Sequence, residues 1–215
     1  MFTILMDKQA DIWRHLLEFY FPSGAKVIDF TYGTGATWWP TTSLYQITKT
    51  DAVPNDASVI RKDLTKDNYA DLGLHDAGFF DPPYLIGRSS FDYPTSSHRQ
   101  GNIGKRSWGQ NGLARFVANP TLDVFVERLN GLNSVASQTI KEGGLLFIKL
   151  MDCRKDGKLI THHITTTQKL TNFDLIDLAI YIRQGATTWE SKQHLQNLHG
   201  YWLVFKKKEP KSDMR

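Results

Sequence analysis

Asp81-Pro82-Pro83-Tyr84 sets an acid, two prolines and an aromatic at the end of the apolar run Ala77-Gly78-Phe79-Phe80. That run reads as a buried parallel strand. Open α/β sheets bind their ligands outside the carboxyl ends of such strands. The four residue types suit a planar exocyclic amine that acts as the attacking group. Asp81 can accept a hydrogen bond from the amine, and so can the Pro82 carbonyl, because proline keeps its acceptor after losing its N–H. Pro83 stiffens the turn, and the Tyr84 ring offers a face on which a base can stack. Taken alone, the tetrapeptide also suits a plain strand-ending turn.

A second segment lies upstream. Lys26-Val27-Ile28-Asp29-Phe30 reads as a short strand, and Thr31-Tyr32-Gly33-Thr34-Gly35-Ala36-Thr37 follows it. Glycines at alternate positions after a strand allow a tight turn and a close approach of backbone to ligand. The interval between the two segments leaves room for two βα units. A dinucleotide-binding G-x-G-x-x-G is absent, because Trp38 takes the third position.

In this order and at this spacing, the two segments resemble the class I S-adenosylmethionine-dependent methyltransferases, specifically the amino-methyltransferases with a D/N/S-P-P-Y/W motif. The resemblance implies an α/β, Rossmann-like methyltransferase domain with a seven-stranded, mostly parallel sheet and an antiparallel last strand. It implies S-adenosyl-L-methionine as cofactor, its methionine end organised by Asp29 and held by the turn through Tyr32, Gly33 and Gly35. Asp63 then faces the adenine amine, and Asp81, Pro82, Pro83 and Tyr84 form the catalytic loop. Asp51, an acid at the end of a second strand, is the candidate for the ribose hydroxyls, as in dinucleotide folds.

Phe30-Thr31 replaces the Pro-Phe pair common in the DNA-modifying members. With Trp38-Trp39, this version is similar to a compact group from phages and prokaryotic mobile elements. The same group has K-x-x-D after strand five and Q-x-H before an H/N-x-y-L-V-F final strand. Lys149, Asp152, Gln193, His194, His199 and Leu203-Val204-Phe205 match that pattern. The resemblance therefore implies methylation of a base amine in DNA. An acid in the first motif position leans to adenine, with cytosine as the alternative. An RNA guanine or adenine amine is a second reading, since RNA guanine methyltransferases also carry D-P-P-Y. A non-catalytic cofactor-binding subunit is a third, and the intact Asp81 and Tyr84 argue against it.

A chain of 215 residues suits one α/β domain spanning 1–215. Its 40% hydrophobic and 22% charged residues are ordinary for a soluble globule. No apolar run has the length to cross a bilayer, and 1–6 is too short for a signal peptide and lacks a basic leader. Cys153 is the single cysteine, which excludes an intramolecular disulfide and a Cys-rich zinc site. A cytoplasmic location is expected. Cys153 follows Met151-Asp152 instead of a proline, which argues against attack on a cytosine ring and suits a strand-end or core cysteine. No metal is expected. The seven histidines form no ligand-like cluster, and His162-His163 read as surface residues.

The net charge of +4 matters less than where the cations fall. Over 85–117 the apolar periodicity stops. Arg88, Arg99, Lys105, Arg106 and Arg115 are opposed only by Asp92, with Phe91, Tyr93 and Trp108 between them. Cations interleaved with aromatics suit a polyanion whose bases can be stacked. This insertion is the expected nucleic-acid-binding loop, with Arg88, Arg99, Lys105, Arg106 and Trp108 as contacts, and DNA as the favoured partner over RNA. A homodimer is a further expectation. Lys206-Lys207-Lys208, Lys211 and Arg215 read as a solvating tail.

The remaining elements alternate. A helix is expected over 8–19, capped by Asp7, with Ile12, Leu16, Leu17 and Tyr20 on one face. Strands follow at 44–50 and 59–61 and a helix at 67–74. A helix over 122–140 opens at Pro120 and buries Leu122, Phe125, Val126, Leu129 and Leu132. Gly143-Gly144 precedes a strand at 145–150, and 158–170 reads as a helix. Strands at 175–182 and 201–205 close the chain, the last at a sheet edge.

Overall fold

Neighbouring residues of a strand point to opposite faces of its sheet. Here both members of Val27/Ile28, Phe79/Phe80, Phe147/Ile148 and Trp202/Leu203 are buried, so the sheet is covered on both sides. The computed structural model describes residues 4–5, 9–33, 35, 37–38, 41, 43–54, 56–82, 121–155, 158–182 and 199–209. Its elements run β1 (Ile4–Leu5), α1 (Gln9–Tyr20), β2 (Lys26–Asp29), β3 (Gln46–Asp51), β4 (Ile60–Arg61) and β5 (His75–Phe80). Then follow α2 (Leu122–Thr139), β6 (Ile140–Leu150), β7 (Cys153–Lys155), β8 (Lys158–Ile160), α3 (His162–Lys169), β9 (Phe173–Ile182) and β10 (His199–Lys207).

The main sheet has the order β1-β9-β10-β6-β5-β2-β3-β4. All its neighbours are parallel except those of β10, which is antiparallel to both β6 and β9. This is the expected seven-stranded sheet with its antiparallel last strand, extended at one edge by the two-residue β1. One core joins Ile12, Trp13, Leu16 and Leu17 of α1 to Val27, Phe79, Phe147 and Trp202. The other joins Phe125, Leu129 and Leu132 of α2 to Ile28, Phe80, Ile148 and Leu203. Among the described residues, no helix is long and apolar enough to cross a membrane.

Five expectations change. β10 lies inside the sheet between β6 and β9, not at its edge. The unbroken run Trp202-Leu203-Val204-Phe205 is buried throughout, which a two-sided central strand requires. The lysines at its end act structurally: Lys207 pairs with Glu142 at 2.7 Å and donates to the Ile140 carbonyl, and Lys208 donates to the Thr171 carbonyl. The segment 158–170 divides into β8, hairpinned on β7, and the shorter α3. The helix expected at 67–74 shrinks to one 3-10 turn, Ala70–Leu72. In α2, Leu122 is exposed, and the buried stripe runs instead from Phe125 to Thr139. Asp7 and Pro120 lie outside the described residues.

Helix α2 meets the turn after β4 at Gly131, where an added Cβ would collide with the backbone carbonyl of Leu64. Alanine normally stabilises a helix interior over glycine by about 1 kcal/mol. Here the rigid backbone reverses that sign. Gly131→Ala should destabilise the fold by roughly 1–3 kcal/mol, measured as a lower urea midpoint at unchanged m-value.

Candidate active site at the carboxyl ends of β2 and β5

The strand order reverses beside β2. The chain leaves β2 for β3 and β4 on one side and returns to β5 on the other. Such a switch point opens a crevice at the carboxyl ends of the strands. The parallel register pairs Val27 with Ala77 and Asp29 with Phe79, so the loops after β2 and β5 leave the sheet side by side. The Phe30 amide donates to the Phe79 carbonyl at 2.9 Å, and that of Tyr32 to the Thr50 carbonyl at 3.0 Å. Across the gap, the Asp81 amide donates to the Thr31 hydroxyl at 2.8 Å. The Gly-rich turn and the Asp81-Pro82 loop are thereby joined directly.

Asp29 is fully enclosed at 1% exposure. Its Oδ1 accepts from the Thr31 amide at 2.7 Å and its Oδ2 from the Trp38 indole at 2.5 Å. Trp38 in turn packs edge-on against Trp13, so the acid is anchored to the aromatic core. Burial pushes Asp29 up to about 8. The bonds from Trp38 and Thr31 resist that shift, and the charges of Asp81 and Asp51 add to it. Asp51, also buried, ends β3 and accepts from the Gly33 and Val53 amides at 2.9 and 2.8 Å. Gly33 and Gly35 both hold positive φ, at 56° and 71°. At Gly35 a Cβ would strike the ring and hydroxyl of Tyr32, so the glycine makes room for that tyrosine. The Lys49 ammonium sits 5.1 Å from the centre of the same ring.

Asp81 meets a partner that the sequence motif does not contain. Lys149, at the end of β6 and only 5% exposed, donates to its Oδ2 at 2.8 Å. Pro82 is buried beside it. Asp63, by contrast, is bound into its own turn. It accepts from the Thr65 amide and hydroxyl, and Lys66 lies 3.4 Å away. Burial works to raise Asp63, but those bonds and Lys66 outweigh it and hold its carboxyl below the usual range. Of the remaining candidates, Pro83, Tyr84, Arg88, Arg99, Lys105, Arg106, Trp108, Gln193 and His194 lie outside the described residues.

Thus Asp29, Tyr32, Gly33, Gly35, Asp51, Asp81 and Pro82 gather at the crevice. Thr31, Trp38 and Lys149 support them. Of these, Lys149 stood in the sequence as half of K-x-x-D, but its approach to Asp81 depends on the β5–β6 register. That register pairs Phe80 with Ile148 and leaves the next two residues adjacent.

A second polar group stands at the β6–β10 junction. The buried Asp152 holds the His163 ring through Nδ1 at 2.8 Å, and His163 stacks on Tyr201 with ring centres 4.3 Å apart. The Tyr201 hydroxyl lies 3.0 Å from His199 Nε2. Burial, with the Asp152 carboxylate beside it, pushes the Tyr201 phenol up. His162 corrects the expectation of a surface pair. It is fully buried, with Nδ1 2.9 Å from the Met151 carbonyl and its ring edge against Phe125, and burial lowers its pKa. Cys153 is buried, as a core cysteine should be. Among the described residues, no group of histidine, cysteine and acidic side chains is arranged to hold a metal ion.

No protein-family model matches this sequence, and no curated protein does so. Solved structures match the fold across nearly the whole chain. TrmN from Thermus thermophilus is 11% identical with a TM-score of 0.52 over 93% of this chain. This chain spans only 49% of TrmN's length. The N-methyltransferase NodS from Bradyrhizobium japonicum WM9, solved with S-adenosyl-L-homocysteine, is 12% identical (TM-score 0.53; 94% of this chain, 86% of NodS). A TehB-like SAM-dependent methyltransferase from Corynebacterium glutamicum is 13% identical (TM-score 0.51; 94% and 89%). The fold is therefore that of the Rossmann-like methyltransferases.

The buried Asp29 gives the fold a definite pH dependence. Its carboxyl titrates near the ordinary 3.8 when unfolded and at about 8 when folded. Between these values the folded state keeps a proton that the unfolded state has lost. The stabilisation is complete below about pH 4 and is lost as pH rises through about 8, at up to about 1.4 kcal/mol per pH unit. Urea denaturation across this window should show that slope in the wild type and its loss in Asp29→Asn.

Proposed function

We propose that the chain is an S-adenosylmethionine-dependent methyltransferase that modifies the exocyclic amine of a base in DNA, with adenine favoured over cytosine. The observation that carries this reading is the joint of the two loops. The Asp81-Pro82 loop, whose residue types suit an amine, is bonded through Thr31 to the glycine turn at the switch-point crevice. The residues there suit a cationic cofactor. Asp29, Asp51 and Asp81 converge, and Asp29 feels the charge of both others. Asp29 with the Tyr32-Gly33-Gly35 turn would hold the methionine end, and Asp51 the ribose. Asp63, held in its turn by the Thr65 amide and hydroxyl, is proposed for the adenine end.

When bound, S-adenosylmethionine supplies a methyl carbon on a sulfonium; the amine lone pair takes it as the carbon–sulfur bond breaks, leaving a neutral thioether. The chain's own residues supply position. Asp81 and the Pro82 carbonyl accept the two amine hydrogens, which favours a pyramidal nitrogen with its lone pair directed at the methyl. The nitrogen gains a positive charge on transfer and then releases a proton to solvent water. Orientation and fixed charge carry the rate gain. A duplex base must leave its stack to reach such a crevice. We assign Tyr84 to stack on it and Arg88, Arg99, Lys105, Arg106 and Trp108 to the nucleic acid, on the sequence pattern alone.

The test is tritium transfer from labelled cofactor to duplex DNA, single-stranded DNA and total RNA, followed by identification of the nucleoside. Methyl-adenine from DNA is the expected product; label in RNA alone moves the assignment to RNA, and no transfer overturns it. Asp81→Ala should lower turnover on the order of a hundredfold or more while cofactor affinity by calorimetry stays within a few fold. Neutralising Arg99, Lys105 and Arg106 together should weaken nucleic-acid binding and shallow its log–log salt dependence by roughly one unit per lost phosphate contact. An unchanged slope would remove 85–117 from the interface.

A further inference from the structure

Lys149 calls for an explanation that folding alone does not provide. Among the described residues it is the only lysine or arginine that is buried. Its ammonium pairs with an Asp81 side chain that is itself only 22% exposed. A buried ion pair is a weak source of stability, because desolvation offsets most of the attraction, and an apolar side chain of similar volume commonly serves the core as well. This pair instead engages the acid proposed to hold the target amine.

We propose that Lys149 is a positioning residue for amine methylation: it fixes the Asp81 carboxylate with Oδ2 occupied and Oδ1 presented to the substrate. The inference rests on the methyl-transfer reading of the site. Lys149 offsets the crevice charge at the one acid whose task is to accept hydrogen bonds from a neutral amine. It also limits rotation of the carboxylate, since turning Oδ2 away would leave the buried ammonium without its partner among the described residues. The β5–β6 register makes this specific, because Phe80 and Ile148 are paired and Asp81 and Lys149 follow them directly.

Four variants and two kinds of readout test the assignment. On whichever nucleic acid the wild type methylates, Lys149→Met should lower kcat by about a hundredfold, the scale of a misplaced reacting group. Cofactor affinity and the cofactor KM should stay within a few fold. Lys149→Arg should recover most of kcat by keeping a cation at Asp81. Lys149→Gln, which keeps a donor but no charge, should recover little. A purely structural lysine would instead lower thermal stability and cofactor affinity together, with no selective rescue by arginine. A kcat within a few fold of wild type in Lys149→Met overturns the proposal. So does equal rescue by glutamine and arginine, which also decides the matter if the methionine variant does not fold. Nitrogen-15 spectra of the ligand-free protein examine the pair apart from activity. The Lys149 ammonium should be protected from exchange in the wild type and lose that protection in Asp81→Ala. An unprotected ammonium in the wild type counts against the pair itself. Absence of methyl transfer by the wild type, with the ammonium protected, counts against the methyltransferase reading instead.

Discussion

The hydrogen bond from the Asp81 amide to the Thr31 hydroxyl spans fifty positions of chain. It sets the height of one loop against the other. Thr31 is held from below in turn: its own amide donates to Asp29, whose second oxygen takes the Trp38 indole. Trp38 meets Trp13 at 5.2 Å and Phe79 at 5.8 Å between ring centres. A continuous line of contacts therefore runs from the α1-side core through a buried carboxylate to the backbone of the acid loop. Catalytic geometry must hold to fractions of an ångström, and this line reaches the rigid interior in three steps.

Charge at the crevice is only partly balanced. Asp29 carries the cost of its burial as a raised pKa, while two donors hold its orientation. Asp51 is fixed by the amides of Gly33 and Val53, so the glycine turn and the end of β3 share one carboxylate. Lys149 answers only Asp81 among the three. With Asp29 holding its proton near neutral pH and Asp81 paired, Asp51 supplies the negative charge at the crevice, which suits a ligand carrying positive charge. The same arrangement explains the positive φ at Gly33 and Gly35. Gly33 turns its amide to Asp51, and Gly35 leaves room for the Tyr32 ring.

Much of this architecture was legible in the residues. Asp29, the glycine turn and Asp81 could be placed at strand ends because short apolar runs precede them, and Asp51 because 44–50 reads as a strand; parallel sheets bring such ends together. Thr31 could not be assigned a bond, since only the β2–β5 register shows that its hydroxyl lies under the Asp81 amide. Lys149 was visible as a motif position without a partner for the same reason. The 158–170 segment misled because its threonines and apolar residues fit both a hairpin arm and a helix, and tertiary pairing with β7 decided the first part. His162 was read as exposed because its contact with Phe125 depends on how α3 packs on α2. The edge placement of the last strand failed on a signal already present: four successive apolar residues leave no face for solvent.

The reversed β10 also changes what reaches the working rim. In a parallel strand only the carboxyl end arrives there, so each strand contributes the residues that follow it. An antiparallel strand contributes its start. β9 ends at Ile182 and β10 begins at His199, and these two residues are paired. Tyr201 is paired with Leu150, one residue after Lys149. Tyr201 and His199 thereby join Asp152, two residues beyond the end of β6, and His163 at the start of α3. Side-chain alternation turns Tyr201 and Leu150 to the α2 face, and Trp202 and Lys149 to the other. The rim therefore bears polar groups on both faces of the sheet: the acid crevice with Lys149 on one, the Asp152–His163–Tyr201 group on the other. The parallel strands β2, β3, β5 and β6 supply the first group, and the inserted antiparallel β10 completes the second.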